Sequence, residues 1–256
     1  MLGAITGDIV GSIYEHRPIK TKDFPLFGRG CRFTDDTVCT LAVADCLMND
    51  GDFADFLRAY VRRHPNRGFG GMFYQWAFSD RGPYNSWGNG AAMRVSPVAY
   101  AARDEQEVLR LAERSAAVTH NHPNAVAGAQ AVALAMWQAL QGTGPADIRR
   151  EIADRFDYDL DRSVDEIRPG YAFDVSCAGT VPPAVICALE GTDYEDGLRN
   201  AISIGGDSDT IGCIAGGLAE ARFGLPEDIA EQARGYLTAD LIDTLDRFQR
   251  FRTSAP

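Results

Sequence analysis

Gly205-Gly206-Asp207-Ser208-Asp209-Thr210-Ile211-Gly212 crowds four oxygen-bearing side chains onto one short loop that runs straight into an apolar segment. Far upstream, Thr34-Asp35-Asp36-Thr37 does the same. Asp and Thr oxygens are the donors that Mg²⁺, Mn²⁺ and Ca²⁺ take, and neither stretch carries the His or Cys that would favour zinc. Four carboxylates drawn together repel one another unless cations sit between them. The two stretches are therefore expected to fold onto each other around a metal pair. Helix capping competes with this reading, because Asp, Ser and Thr are preferred N-caps. For one stretch alone the two readings balance. Two acidic stretches, each opening an apolar helix, tip the weight toward metal.

The chain around them is that of a globular protein. It has 256 residues, 45% hydrophobic and 24% charged, enough for a large core, and is read as one domain over 1–256. No apolar run reaches the length of a membrane span. Met1-Leu2-Gly3-Ala4 has no basic region and meets Asp8 at once, so a cytoplasmic protein is expected. The six cysteines form no C-x-x-C pair and read as buried thiols in a reducing compartment. A net charge of −11 argues against loose binding to membranes or nucleic acid.

Along the chain, Gly3, Gly7 and Gly11 line one face of an N-terminal helix. Each costs ~1 kcal/mol against Ala there, so close approach to another helix or a ligand is expected. Asp8 and Glu15 are seven apart and are expected to share a face. Helices are expected after Thr37, after Asp52, over 104–118 and over the Ala-rich stretch 124–141, the last apolar nearly all round and so central. Residues 145–168 read as a charged, weakly periodic surface. A buried helix is expected from Phe173 to Leu189, a short one over 193–203, another after Thr210, and a last one over about 239–251. No segment alternates over a strand's length, so the expected class is all-α. Two Gly-rich loops, Arg67-Gly68-Phe69-Gly70 and Trp87-Gly88-Asn89-Gly90, suit close backbone contact with an anionic or planar ligand. Thr119-His120-Asn121-His122-Pro123 puts two imidazoles in a polar turn, as ligands, bases or neither.

Five motifs in order carry a resemblance. They are Gly7-Asp8-x-x-Gly11-x-x-x-Glu15, Phe33-Thr34-Asp35-Asp36-Thr37, Gly88-Asn89-Gly90-x-x-Met93-Arg94, Thr119-His120 and Gly205-Gly206-Asp207-x-Asp209-Thr210-Ile211-Gly212. Together they closely resemble the ADP-ribosylglycohydrolase family, over residues 3 to about 217. The resemblance implies a compact, orthogonally packed multi-helix fold and two Mg²⁺ ions, or Mn²⁺. It implies metal ligands at Thr34, Asp35, Asp36, Asp207, Asp209 and Thr210, with Asp209 as the bridge. It gives Glu15 a catalytic role beside Asp36 and Asp209. It gives substrate contacts to Asp35, Gly68, Phe69, Gly70, Trp87, Gly88, Asn89, Gly90, Met93 and His120. The Arg67–Gly70 loop resembles the ADP-ribosylserine branch more than the arginine branch.

The implied activity is hydrolysis of the glycosidic bond at C1″ of ADP-ribose, freeing ADP-ribose from a modified protein or other ADP-ribosyl conjugate. Nucleic acid enters only as such a modified substrate. Two alternatives stand beside it: a catalytically inactive ADP-ribose binding module, and a two-metal pyrophosphohydrolase.

Overall fold

The computed structural model describes residues 1–254. They form an all-α protein: α1 (Leu2–Gly11), α2 (Asp35–Met48), α3 (Phe53–Arg63), α4 (Gly71–Ala77), α5 (Gly90–Met93), α6 (Ser96–Ala101), α7 (Glu105–Ala117), α8 (Pro123–Leu140), α9 (Pro145–Phe156), α10 (Val164–Ile167), α11 (Cys177–Glu190), α12 (Tyr194–Ser203), α13 (Ser208–Phe223), α14 (Glu227–Arg234) and α15 (Ala239–Ser254). Among the described residues the one extended pairing is an isolated antiparallel bridge between Gly88 and Ser176. No described helix is long and apolar enough to cross a membrane.

α8 is the hub of the core. Its run Ala131 to Met136 is buried, and it packs against α7, α9, α11 and α13. Outer helices show the expected one-sided burial. α3 hides Phe53, Leu57, Tyr60 and Val61, and its Asp52 cap accepts from the Ala54 and Asp55 amides. α7 hides Val108, Leu111, Ala112 and Ser115 behind an Asp104 cap. All six cysteines are buried free thiols.

The glycine stripe finds its partner in α13. The two helices run antiparallel in backbone contact. A Cβ on Gly7 would lie 1.8 Å from the Gly212 carbonyl oxygen, one on Gly11 2.2 Å from that of Ser208, and one on Gly216 2.4 Å from that of Gly3. No real Cβ fits at such distances, so glycine on both helices is what lets them touch. The contact sets Asp8 of α1 beside Asp209 of α13.

Three expectations change. Residues 145–168 include the helix α9, whose inner face is only Ile148 and Ile152, with α10 behind it. α14 was not expected either; it buries just Ile229 and Ala233. α11 begins at Cys177, not Phe173, and Pro182 and Pro183 lie inside it. Pro183 leaves the Gly179 carbonyl without its helical donor. The Tyr171 hydroxyl donates to it instead, at 3.0 Å. Residues 173–176 are held elsewhere: the Asn89 amide donates to Val175 O at 2.7 Å and the Cys177 amide to Trp87 O at 3.1 Å.

Candidate active site

The two acidic loops meet, and they are built differently. At α2, Thr34 is the N-cap, and its Oγ1 accepts from the Asp36 amide at 3.3 Å. Asp35 and Asp36 fill the first turn, where the helix dipole favours negative charge. Asp8 completes this end from α1. Its carboxylate accepts the Thr34 amide at 2.9 Å, the Thr37 amide at 3.1 Å and both threonine hydroxyls. At α13, Asp207 occupies the N-cap position but its side chain makes no capping bond. It accepts from Asn89 Nδ2 at 2.7 Å. The loop before it turns through Gly205 and Gly206 at φ 70° and 77°, left-handed values that favour glycine. The Lys20 ammonium ties this loop down, bonding the carbonyls of Ile204 at 2.5 Å and Tyr171 at 2.7 Å.

Capping and ion binding are thus not exclusive. Threonine caps α2, which leaves its aspartates free. At α13 the N-cap Asp207 makes no capping bond, Asp209 Oδ1 accepts the Thr210 amide at 3.0 Å, and Asp209 also reaches the Asp8 and Asp36 carboxylates of the other half.

Carboxylate oxygens of Asp8, Asp36 and Asp209 lie within 4.8 Å of one another, and so do those of Glu15, Asp207 and Asp209. Asp209 belongs to both groups. Burial, then the charges of Asp8, Asp35 and Asp207, push Asp36 well above the usual carboxylate range. Burial and the Asp36 and Asp207 charges do the same to Asp209. Burial and Asp8 raise Asp35 to about 8. Burial alone lifts Asp8, to about 6, against the four bonds that favour its charged form. Glu15 is raised by burial, with His16 opposing.

Such a set resists ionisation without counter-charge, and Asp36 Oδ1 is buried without a hydrogen-bond partner. All its donors are hard oxygens. The residues therefore fit a hard divalent cation. Asp8 is the exception, since its oxygens are occupied by Thr34 and Thr37. It orients the Thr34 hydroxyl and the α2 terminus.

A cavity of about 850 Å³ opens over the carboxylates. Its lining includes Glu15, Thr34, Asp35, Asp36, Asp207, Asp209 and Thr210 on the floor side, Gly68 and Gly70 on one wall, and Trp87, Gly88, Asn89, Gly90, Met93 and His120 on another. Phe69 is not among the lining residues; it turns back to stack on Phe73, with centroids 5.9 Å apart. Trp87 is 51% exposed at the rim, and Phe173 55%. The segment carrying Phe173 and Val175 gave no sign of this place while it read as helix. Glu15 reaches the floor from a turn, because α1 stops at Gly11 and the Tyr14 amide bonds the Gly11 carbonyl at 2.8 Å. Asp8 and Glu15 meet Asp209 from different directions, not from one helical face. Of the two histidines, His120 is a buried part of the wall, and the His122 side chain caps α8, accepting from the Asn124 amide at 3.1 Å.

A profile of the ADP-ribosylglycohydrolase family matches residues 1–254. The chain belongs to the ADP-ribosylglycohydrolase family. ADP-ribosylhydrolase ARH3 of Homo sapiens is 25% identical, in an alignment covering 94% of this chain and 90% of that protein. ARH3 of Danio rerio is 24% identical over 88% and 82%. The ADP-ribosylarginine hydrolase Tri1 of Pseudomonas putida (strain GB-1) is 26% identical over 88% and 70%. A solved structure described as an ADP-ribosylglycohydrolase-related protein complex superposes with a TM-score of 0.72 at 26% identity, covering 96% of this chain and 95% of that one.

Proposed function

We propose that this ADP-ribosylglycohydrolase family member is a divalent-metal-dependent hydrolase that cleaves the glycosidic bond at C1″ of ADP-ribose and releases ADP-ribose from a modified protein. One observation carries the reading: two carboxylate groups sharing Asp209 lie at the floor of a cavity whose walls are two glycine loops. The names of the relatives, ADP-ribosylhydrolase and ADP-ribosylarginine hydrolase, support the same reaction class.

Thr34, Asp35, Asp36, Asp207, Asp209 and Thr210 are the residues that would hold the cations, two Mg²⁺ or Mn²⁺, and Asp209 belongs to both carboxylate groups. When bound, these ions supply the charge that lets the carboxylates ionise, and Lewis acidity toward the ribose hydroxyls and water. The chain's own residues do the rest. Gly68, Gly70, Gly88 and Gly90 let backbone approach the diphosphate and distal ribose closely. Trp87 offers an exposed ring face to adenine. Asn89 holds Asp207 in place through its Nδ2. Glu15, raised by burial, hands a proton to the departing group, or takes one from the incoming water, at the carboxylate edge nearest Asp207 and Asp209.

The test is a linkage panel. Serine-linked and arginine-linked ADP-ribosyl peptides are incubated with the protein and Mg²⁺, with and without EDTA, and products are separated. Free ADP-ribose released only with Mg²⁺ is expected. AMP with a phosphoribosyl group left on the peptide would make the protein a pyrophosphohydrolase, and binding of ADP-ribose with no product would make it a binding module.

A further inference from the structure

Arg94 is a fully buried cation, and no carboxylate pairs with it among the described residues. Its Nη2 donates to the Ser115 carbonyl at 2.6 Å, in the last turn of α7. That turn leaves carbonyls free and carries the negative end of the helix dipole, which offsets the guanidinium charge. The same Nη2 lies 3.1 Å from Thr119 Oγ1, and Thr119 Oγ1 lies 2.7 Å from His120 Nδ1.

The direction of this chain follows from donor chemistry. A guanidinium only donates, so Thr119 Oγ1 accepts from Arg94. The hydroxyl has one proton, and its one acceptor among the described residues is His120 Nδ1. Thr119 is fully buried, so a proton aimed elsewhere would be stranded away from water. Nδ1 is thus the accepting nitrogen, and in the neutral ring the proton sits on Nε2. Nε2 faces the cavity over two glycines: a Cβ on Gly90 would lie 3.0 Å from it, and one on Gly88 3.6 Å. Among the described residues it has no hydrogen-bond partner.

We infer that Arg94 and Thr119 are positioning residues that lock His120 as the Nε2–H tautomer, so that it meets the ligand as a hydrogen-bond donor to oxygen rather than as a base or metal ligand. Burial, with the Arg94 charge behind it, also holds the imidazole neutral, well below its ordinary titration range. The ligand half of the inference rests on the cavity being the ADP-ribose site; the tautomer half does not.

Long-range ¹⁵N–¹H NMR of the histidine rings reads the tautomer directly, with His120→Gln assigning the signal. A neutral Nε2–H ring throughout the neutral pH range is expected. An Nδ1–H or doubly protonated ring in the wild-type protein overturns the inference. Thr119→Ser keeps the hydroxyl and the pattern; the near-isosteric Thr119→Val removes the donor, and the Nδ1 nitrogen signal moves to that of an unbonded lone-pair nitrogen.

Calorimetry with ADP and with ADP-ribose, in Mg²⁺, reads the consequence. Thr119→Val should weaken binding roughly tenfold, with Thr119→Ser close to wild type. Equal weakening for both probes puts the acceptor oxygen on the ADP part; weakening for ADP-ribose alone puts it on the distal ribose. An Nδ1 signal that moves in Thr119→Val with unchanged affinity for both probes overturns the positioning role. If wild-type protein shows the Nε2–H ring but binds neither probe, the functional reading fails while the tautomer lock stands.

Discussion

The N-termini of α2 and α13 carry nearly the same residues and are held in opposite ways. At α2 the helix start is held by the protein's own side chains: Thr34 caps, Asp8 accepts two amides and two hydroxyls, and Asp36 Oδ1 alone is left buried without a partner. At α13 the N-cap Asp207 makes no capping bond, two left-handed glycines shape the loop, and Asn89 and Lys20 restrain it from outside. The α2 half is organised around Asp8 by the protein's own bonds, and the α13 half is held from outside. Both present carboxylates, Asp35 and Asp36 from α2 and Asp207 and Asp209 from α13, whose counter-charge must come from elsewhere. The two halves are brought together by the Gly3, Gly7 and Gly11 stripe against α13.

The sharpest way to break this asymmetry is Asp209→Asn. Asp209 belongs to both carboxylate groups, so the change should cost ADP-ribose release on the order of 10²–10³-fold or more, with Mg²⁺ binding lost by calorimetry. Turnover near wild type would remove Asp209 from the site. Asp8→Asn, in the α2 half, should act indirectly. It puts an amide where Asp8 now only accepts, and should cost roughly 10–100-fold in cation affinity, the range for groups that orient ligands. An effect as large as that of Asp209→Asn would mean that Asp8 itself binds the ion.

Gly7→Ala tests the contact that joins the halves. Its Cβ would meet the Gly212 carbonyl at 1.8 Å, so overpacking of ~3 kcal/mol or more is expected in urea unfolding. Gly70→Ala is the matched control, since nothing lies within 4 Å of a Cβ there.

A fourth prediction concerns pH. Asp8 and Asp35 rise from 3.8 to about 6 and about 8 in the folded chain. Folded protein then holds protons that unfolded protein has lost. The stability these groups contribute is full below pH ~4 and is lost as pH rises through those values. Cations that stabilise the charged forms should offset the loss. The melting-temperature gap between Mg²⁺-loaded and metal-free protein should therefore widen from about pH 5 to about pH 8. A gap that narrows would contradict the crowded-carboxylate picture. The smallest effect belongs to His122→Ala, which removes a cap of α8 and should cost ~1 kcal/mol of stability with kcat unchanged.

Much of this was legible in residue order. Asp-Asp-Thr and Asp-x-Asp-Thr fit capping or hard-cation chemistry, and the fold brings the two acidic stretches together; glycine every fourth residue marks a helix that touches another. What local patterns hide is long-range pairing. Asp8 and Glu15 look like neighbours on one helical face, but α1 ends at Gly11 against α13, and a turn carries Glu15 round. Phe173 to Ser176 look like the start of an apolar helix. In the fold their backbone bonds to residues 87–89, which puts Phe173 at the cavity mouth. α9 and α14 escape notice because two buried side chains each, four residues apart, are too few to stand out among charges.

The most direct test of the central claim is turnover by metal-depleted protein. The protein is stripped with a chelator, dialysed, and given an ADP-ribosyl peptide that the untreated protein cleaves, with ADP-ribose release followed before and after Mg²⁺ or Mn²⁺ is restored. No release from the stripped protein, recovery on adding either cation, and no recovery in Asp209→Asn are expected. Full release from the stripped protein would contradict a site organised around cations.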